Sequence, residues 1–125
     1  MGIHPLAIAF VSITLSVLAQ FSMKFGSGRA AAIAMESAST SFLRLLALSM
    51  LQPAVIAGFV LYGAGAVLWL YVLARWDVSK AYPLVGFGFV LTLIVGAACF
   101  GERVTWERIA GCLLICAGLV LVVRS

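Results

Sequence analysis

Four apolar stretches, at about 3–24, 54–75, 80–100 and 106–123, constrain this chain more than anything else in it. Each is close to the roughly 20 residues a helix needs to cross a hydrocarbon core about 30 Å thick. Lipid offers no water to hydrogen-bond the peptide groups, so each run must close its own bonds as an α-helix. Composition agrees: 65% of the 125 residues are hydrophobic and 10% are charged, against about 25% charged in a soluble domain. The expectation is an all-α integral membrane protein, a single four-helix transmembrane domain over residues 1–125. The first run is read as a retained helix. It is longer than a signal-peptide core, and "QFSMKFGSG" is a poor cleavage site.

The connections add detail. "GSGR" at 26–29 is expected to end the first helix, leaving 26–52 as the only long connection. Within it "SFLRLLALSMLQ" (41–52) is apolar but too short to span, and reads as a helix lying in the interface or as an early start to the second span. Pro53 suits a first helical turn, where its missing N–H costs little. Gly58, Gly63 and Gly65 thin one side of the second helix for close packing, and Trp69, Tyr71 and Trp76 approach the far interface, where aromatic rings are favoured. "DVS" leads to the third span, with Asp77 or Ser79 as its cap and Pro83 in its first turn as a hinge; Gly86, Gly88 and Gly96 follow. Thr105 is placed to cap the fourth helix and Glu107 to meet its dipole.

Short connections put both termini on one side. Arg75, Lys80 and Arg124 then face Lys24, Arg29, Arg44, Arg103 and Arg108 across the membrane, a near balance of the basic residues that normally set orientation. Four helices with no internal repeat enclose a substrate path poorly. The chain therefore reads as half of an inverted-repeat transporter, completed by a second copy or a paralogous small subunit.

No catalytic constellation is present. The only histidine is His4, there is no Gly-rich phosphate loop, and no metal-ligand set clusters; Cys99, Cys112 and Cys116 read as packing residues inside the spans. No enzyme activity, metal or cofactor is expected, and the scattered basic residues make no nucleic-acid patch. All four acids (Glu36, Asp77, Glu102, Glu107) sit in connections or at helix ends, whereas a proton-coupled cation exporter needs a membrane-embedded carboxylate. Ser16, Gln20 and Lys24 recur at four-residue steps and so share one helical face. That stripe can line a groove with a neutral wall and a cationic mouth, or it can bond neighbouring helices. Lys24, Arg75, Lys80, Arg103 and Arg108 can meet a phosphate or snorkel to headgroups.

Several segments carry a resemblance. "GCLLICAG" at 111–118, with Gly111 and Gly118 seven apart, resembles the fourth helix of the small multidrug resistance transporters, and "FGERVTWERIAG" resembles a turn shared across the drug/metabolite transporter superfamily. "YGAGAVLWLYVLARWDVSKAYPL" and "LAQFSMK" look closest to the small subunits of aminoarabinose–undecaprenyl phosphate flippases. The resemblance implies dimerisation through Gly111 and Gly118, termini in the cytoplasm, and a bacterial inner-membrane location. Two departures separate the chain from the drug exporters. Their essential Glu, eight residues before the Lys that ends the first helix, falls here on Ser16, and the Trp after their helix-three Tyr is absent, Val85 and Gly86 following Pro83.

The resemblance implies a lipid-linked anion as the substrate, and these features are compatible with it. The expected path is lined by Ser16, Gln20, Trp69 and Tyr82, with Lys24, Lys80 and Arg103 at phosphate level and space opened by Gly86 and Gly88. Two other readings stay open: a small-molecule or cation exporter whose carboxylate comes from a partner, and a non-transporting subunit that supports a glycosyltransferase.

Overall fold

The computed structural model describes residues 4–36 and 41–125. Ile3, at the expected start of the first span, and residues 37–40 of the long connection lie outside that description. The elements are α1 (Pro5–Met35), α2 (Phe42–Leu51), α3 (Pro53–Arg75), a one-turn α4 (Val78–Ala81), a 3₁₀ turn (Tyr82–Val85), α5 (Gly86–Phe100) and α6 (Trp106–Arg124). α4, the 3₁₀ turn and α5 make one run, Val78–Phe100, so four helical runs are long and apolar enough to cross a membrane. No strand occurs among the described residues. The chain is an all-α, multi-pass membrane protein.

α1 does not stop at "GSGR". It continues for 31 residues to Met35, about 46 Å at 1.5 Å per residue. Glycine inside a helix costs only about 1 kcal/mol relative to alanine, less than leaving peptide groups unbonded in apolar surroundings. Gly26 also has a packing role: a Cβ there would lie 2.5 Å from Val55 Cγ2 and 2.9 Å from Val55 N. The expected short helix at 41–52 forms as α2, capped by Ser41, whose Oγ accepts from Arg44 N–H at 3.1 Å. None of its residues is buried.

The main pairing is α1 against α3. Gly58 and Gly65 face α1 so closely that a Cβ at Gly58 would meet Met23 Cγ at 2.6 Å and the Ala19 carbonyl oxygen at 2.9 Å; at Gly65 it would lie 3.1 Å from the Ser12 carbonyl oxygen. Gly63, expected on the same side, faces open space instead. It lies five residues from Gly58, and that step carries it round the helix away from α1. Two hydroxyls use the close approach: Ser12 Oγ donates to Gly65 O and Ser22 Oγ to Ala54 O, both at 2.6 Å.

A small buried core of Ala9, Ile13, Val17, Val72, Ala81 and Leu84 ties α1, α3 and the start of the third span together. Asp77 occupies the cap position of α4 through its backbone alone; its side chain makes no cap bond, and Ser79 lies inside the turn. Pro83 sits in the 3₁₀ turn without breaking the run, because the residues around it keep right-handed helical angles.

α5 ends at Gly101, whose φ of 63° lies in the left-handed region that a side chain disfavours. Thr105 caps α6 as expected, accepting from Arg108 N–H at 3.2 Å. α6 has no buried residue and touches only α5 and the 3₁₀ turn closely. Ile115 of α6 lies over Gly86, where a Cβ would come within 2.8 Å of it.

The glycine contacts give a direct test of the α1–α3 pairing. Gly58→Ala is expected to lower the melting temperature of the detergent-purified protein, since overpacking of this kind costs about 1–3 kcal/mol. Gly63→Ala should leave it unchanged or raise it. Equal effects at the two sites would contradict the packing described.

Candidate functional site

α1 packs on α3 along one side and on α5 along another, and a cleft of about 590 Å³ lies between the three. That volume is within the range of small-ligand sites, about 300–1,000 Å³. α1 supplies Ser12, Ser16 and Gln20 from successive turns, with Ile13 and Val17 beneath them. α3 contributes Tyr62, Ala66, Trp69 and Leu70, which recur at helical spacing along one face. The third span contributes Tyr82, Val85, Gly88, Phe89 and Thr92. Tyr62, Leu70, Tyr82 and Phe89 are exposed and form the rim.

The chemistry of the lining is neutral. Among the described residues no charged side chain lines it. Three hydroxyls are already committed to backbone oxygens: Ser12 to Gly65 O, Ser16 to Ser12 O at 3.1 Å, and Thr92 to Gly88 O at 2.7 Å. Their donors are used within the fold and their lone pairs remain as acceptors. The Gln20 amide, which lines the cleft, makes no hydrogen bond among the described residues, so its donor and its acceptor are unengaged. Aromatic rings at 62, 69, 82 and 89 flank these polar groups. The arrangement can hold a polar group by hydrogen bonding and stacking.

Of the residues singled out in the sequence, Ser16, Gln20, Trp69, Tyr82 and Gly88 come together in this cleft. Lys24, Lys80 and Arg103 do not line it. Lys24 sits one turn beyond Gln20 and is ion-paired with Glu102 from the α5–α6 connection. Its Nζ also lies 5.1 Å over the Phe100 ring, which stacks on Phe21. Lys80 is at the opposite end, 4.9 Å over the Trp76 ring, and His4 meets the same ring edge-on at 6.3 Å. The Arg103 carbonyl accepts from Arg108 Nη1 at 2.9 Å.

Gly86, expected to open space, is covered by Ile115, and Gly88 is packed 3.2 Å from Ile13 Cγ2 at the position of a Cβ. Both bring helices together. Gly111 and Gly118 face open space on α6. Tyr62, Thr92 and Phe89 were not anticipated. The signal was available in helical spacing, 62/66/69 on α3 and 85/88/92 on the third span, but only against a known partner face.

Comparison with known proteins gives two findings. The sequence model of the family described as "Putative transmembrane family 234" matches residues 10–123. Among curated relatives, the "Probable 4-amino-4-deoxy-L-arabinose-phosphoundecaprenol flippase subunit ArnE" of Pseudomonas aeruginosa (strain UCBPP-PA14) is 43% identical over 63 residues, 50% of this chain and 55% of the relative. The protein of the same name from Aeromonas salmonicida (strain A449) is 35% identical over 72 residues, 58% and 63% of the two chains. The corresponding flippase subunit ArnF of Sodalis glossinidius (strain morsitans) is 38% identical over 71 residues, 52% of each. The chain thus spans little more than half the length of the curated relatives it matches. No solved structure matches.

Cleft-lining and packed positions of α1 should differ in water access. In a protein with Cys99, Cys112 and Cys116 replaced by serine, Gln20→Cys is expected to react with a water-soluble maleimide in proteoliposomes, because thiolate formation needs a hydrated site. Ala19→Cys, at a fully buried neighbouring position, should stay unmodified. Equal labelling of the two would contradict the assignment of the α1 faces.

Proposed function

This chain belongs to transmembrane family 234, and we propose that it is a flippase subunit for a polyprenyl-phosphate-linked sugar or a similar anionic lipid-linked substrate. The observation that carries the reading is the lining of the cleft, where neutral hydrogen-bonding groups from α1 face aromatic rings from α3 and the third span, and no carboxylate lines it among the described residues. A sugar headgroup needs donors, acceptors and stacking surfaces, while its polyprenyl tail is already soluble in the bilayer. A flippase has only to shelter the polar part. The names of the ArnE and ArnF relatives support the same substrate class.

In this proposal Ser16, Gln20, Trp69 and Tyr82 contact the headgroup, joined by Tyr62 and Thr92, and the protein is a transporter with no catalytic chemistry of its own. Lys24, Lys80 and Arg103 sit at the two ends, at phosphate level. The 3₁₀ turn around Pro83 serves as the hinge, since a 3₁₀ stretch inside a longer helical run is a common point of bending. α6 is the dimer surface: it buries no residue within the chain, and Gly111 and Gly118 leave room for a facing helix. The partner is a second, antiparallel copy or a paralogous small subunit, the pair forming an inverted-repeat assembly in the bacterial inner membrane that works by alternating access. A cation exporter is less well supported, because no carboxylate lines the cleft among the described residues and Glu102 is paired with Lys24.

The test is leaflet exchange. Proteoliposomes holding the chain, alone or with its paralogous partner, should move a fluorescent polyprenyl-phosphate sugar between leaflets faster than protein-free vesicles. Gln20→Ala or Tyr82→Ala should slow that exchange roughly tenfold, the scale of one lost hydrogen bond to a charged or strongly polar group. No exchange in either reconstitution would overturn the reading. Drug-driven proton release would replace it with cation export, and glycosyltransferase stimulation without lipid movement would replace it with a supporting role.

A further inference from the structure

The cleft has no charge of its own, and the cation on the same face of α1 is already engaged. Ser16, Gln20 and Lys24 stand on successive turns of α1, so Lys24 is where an anionic group would emerge if its neutral part lay beside Gln20. Lys24 is paired with Glu102. The pairing is built by the backbone. Gly101 turns the chain through a left-handed conformation, Glu102 N–H donates to the Gly96 carbonyl at 3.1 Å, and the Glu102 side chain folds back over α5. Gly96 makes room for it: a Cβ there would stand 2.5 Å from Glu102 Oε2. The pair is also open to exchange, the two side chains being 52% and 31% exposed. Exposed ion pairs of this kind contribute little net stability, and an ammonium has three donors that readily change partners.

We propose that Glu102 is a displaceable counter-ion that holds Lys24 at the mouth of the cleft until the phosphate of the lipid-linked substrate takes its place. The inference rests on the flippase reading above and adds to it a positioning residue. With the cleft empty, Lys24 stays beside Phe100 and Glu102 rather than reaching into lipid headgroups. When the headgroup enters, its phosphate oxygens accept from Lys24 Nζ and the Glu102 carboxylate swings out to water, with no proton transferred. Ligands lacking phosphate cannot make the exchange, so the pair also discriminates between anionic and neutral lipids. The competition lowers apparent affinity in proportion to the fraction of Lys24 that is free.

The prediction is a pair of opposite signs. Binding of undecaprenyl phosphate and of undecaprenol to the full chain in nanodiscs is measured for wild type, Lys24→Gln, Glu102→Gln and Gly96→Ala. Lys24→Gln should weaken undecaprenyl phosphate binding roughly fivefold or more, and Glu102→Gln should tighten it by a similar factor, since the competing fraction is removed. Gly96→Ala pushes the Glu102 carboxylate aside and should tighten binding as well, giving a second route should Glu102→Gln fold poorly. Undecaprenol binding should move in none of them. A merely structural ion pair predicts the same sign for Lys24→Gln and Glu102→Gln, and that result, or no change in either, would overturn the proposal. Absence of undecaprenyl phosphate binding in the wild type would instead overturn the flippase reading on which it rests.

Discussion

The backbone-to-backbone approach of α1 and α3 is the contact on which the other features depend. Gly58 and Gly65 bring α3 against the Ala19 and Ser12 carbonyls, and Gly26 receives Val55 at the other end. Among apolar helices in lipid, association depends on close van der Waals packing and interhelical hydrogen bonds, because hydrocarbon outside is as apolar as the helix surface. The hydroxyls of Ser12 and Ser22 provide those bonds across the pair. Once the two helices are fixed, Ser16 and Gln20 on α1 and Tyr62 and Trp69 on α3 are held around one space. α5 then needs only to lean on Ile13 and Val17 through Gly88 to complete the cleft.

α6 stands apart from this arrangement. It carries apolar side chains all round, none of them buried, and its two glycines face outward. A helix that contributes so little to the monomer and is shaped for close contact is well suited to be a subunit interface, as the dimer proposal requires. The division of labour is economical in sequence: three helical runs build a cleft, and the fourth is left for assembly. The short Tyr82–Val85 turn lies where the two parts meet, since Ile115 rests on Gly86 just beyond it.

The number of spans, the cap at Thr105 and the start of α3 at Pro53 were legible because each follows from local chemistry. Apolar run length, a hydroxyl before a helix and a missing N–H all leave marks in the sequence. The length of α1 was not legible. "GSGR" has the composition of a helix stop, and only the facing Val55 reveals Gly26 as a packing residue. For the same reason Gly63 and Gly86 were misread: whether a glycine bends, opens or packs depends on what lies opposite. Of the site, the α1 stripe of Ser16 and Gln20 could be read from its four-residue step, whereas Tyr62 and Thr92 needed three-dimensional proximity. The pairing of Lys24 with Glu102, 78 residues apart, could not be read at all, because nothing local couples the two.

The proposed function requires a lipid headgroup to occupy the space between α1, α3 and the third span. Photocrosslinking tests it most directly, with a polyprenyl phosphate bearing a diazirine beside its headgroup and the modified residues mapped by mass spectrometry. The account predicts adducts concentrated at Gln20, Tyr62, Trp69 and Thr92, and competed away by unlabelled polyprenyl phosphate. Adducts spread over the exposed apolar faces, on Leu113 and Leu114 of α6 as much as in the cleft, and insensitive to competitor would contradict it.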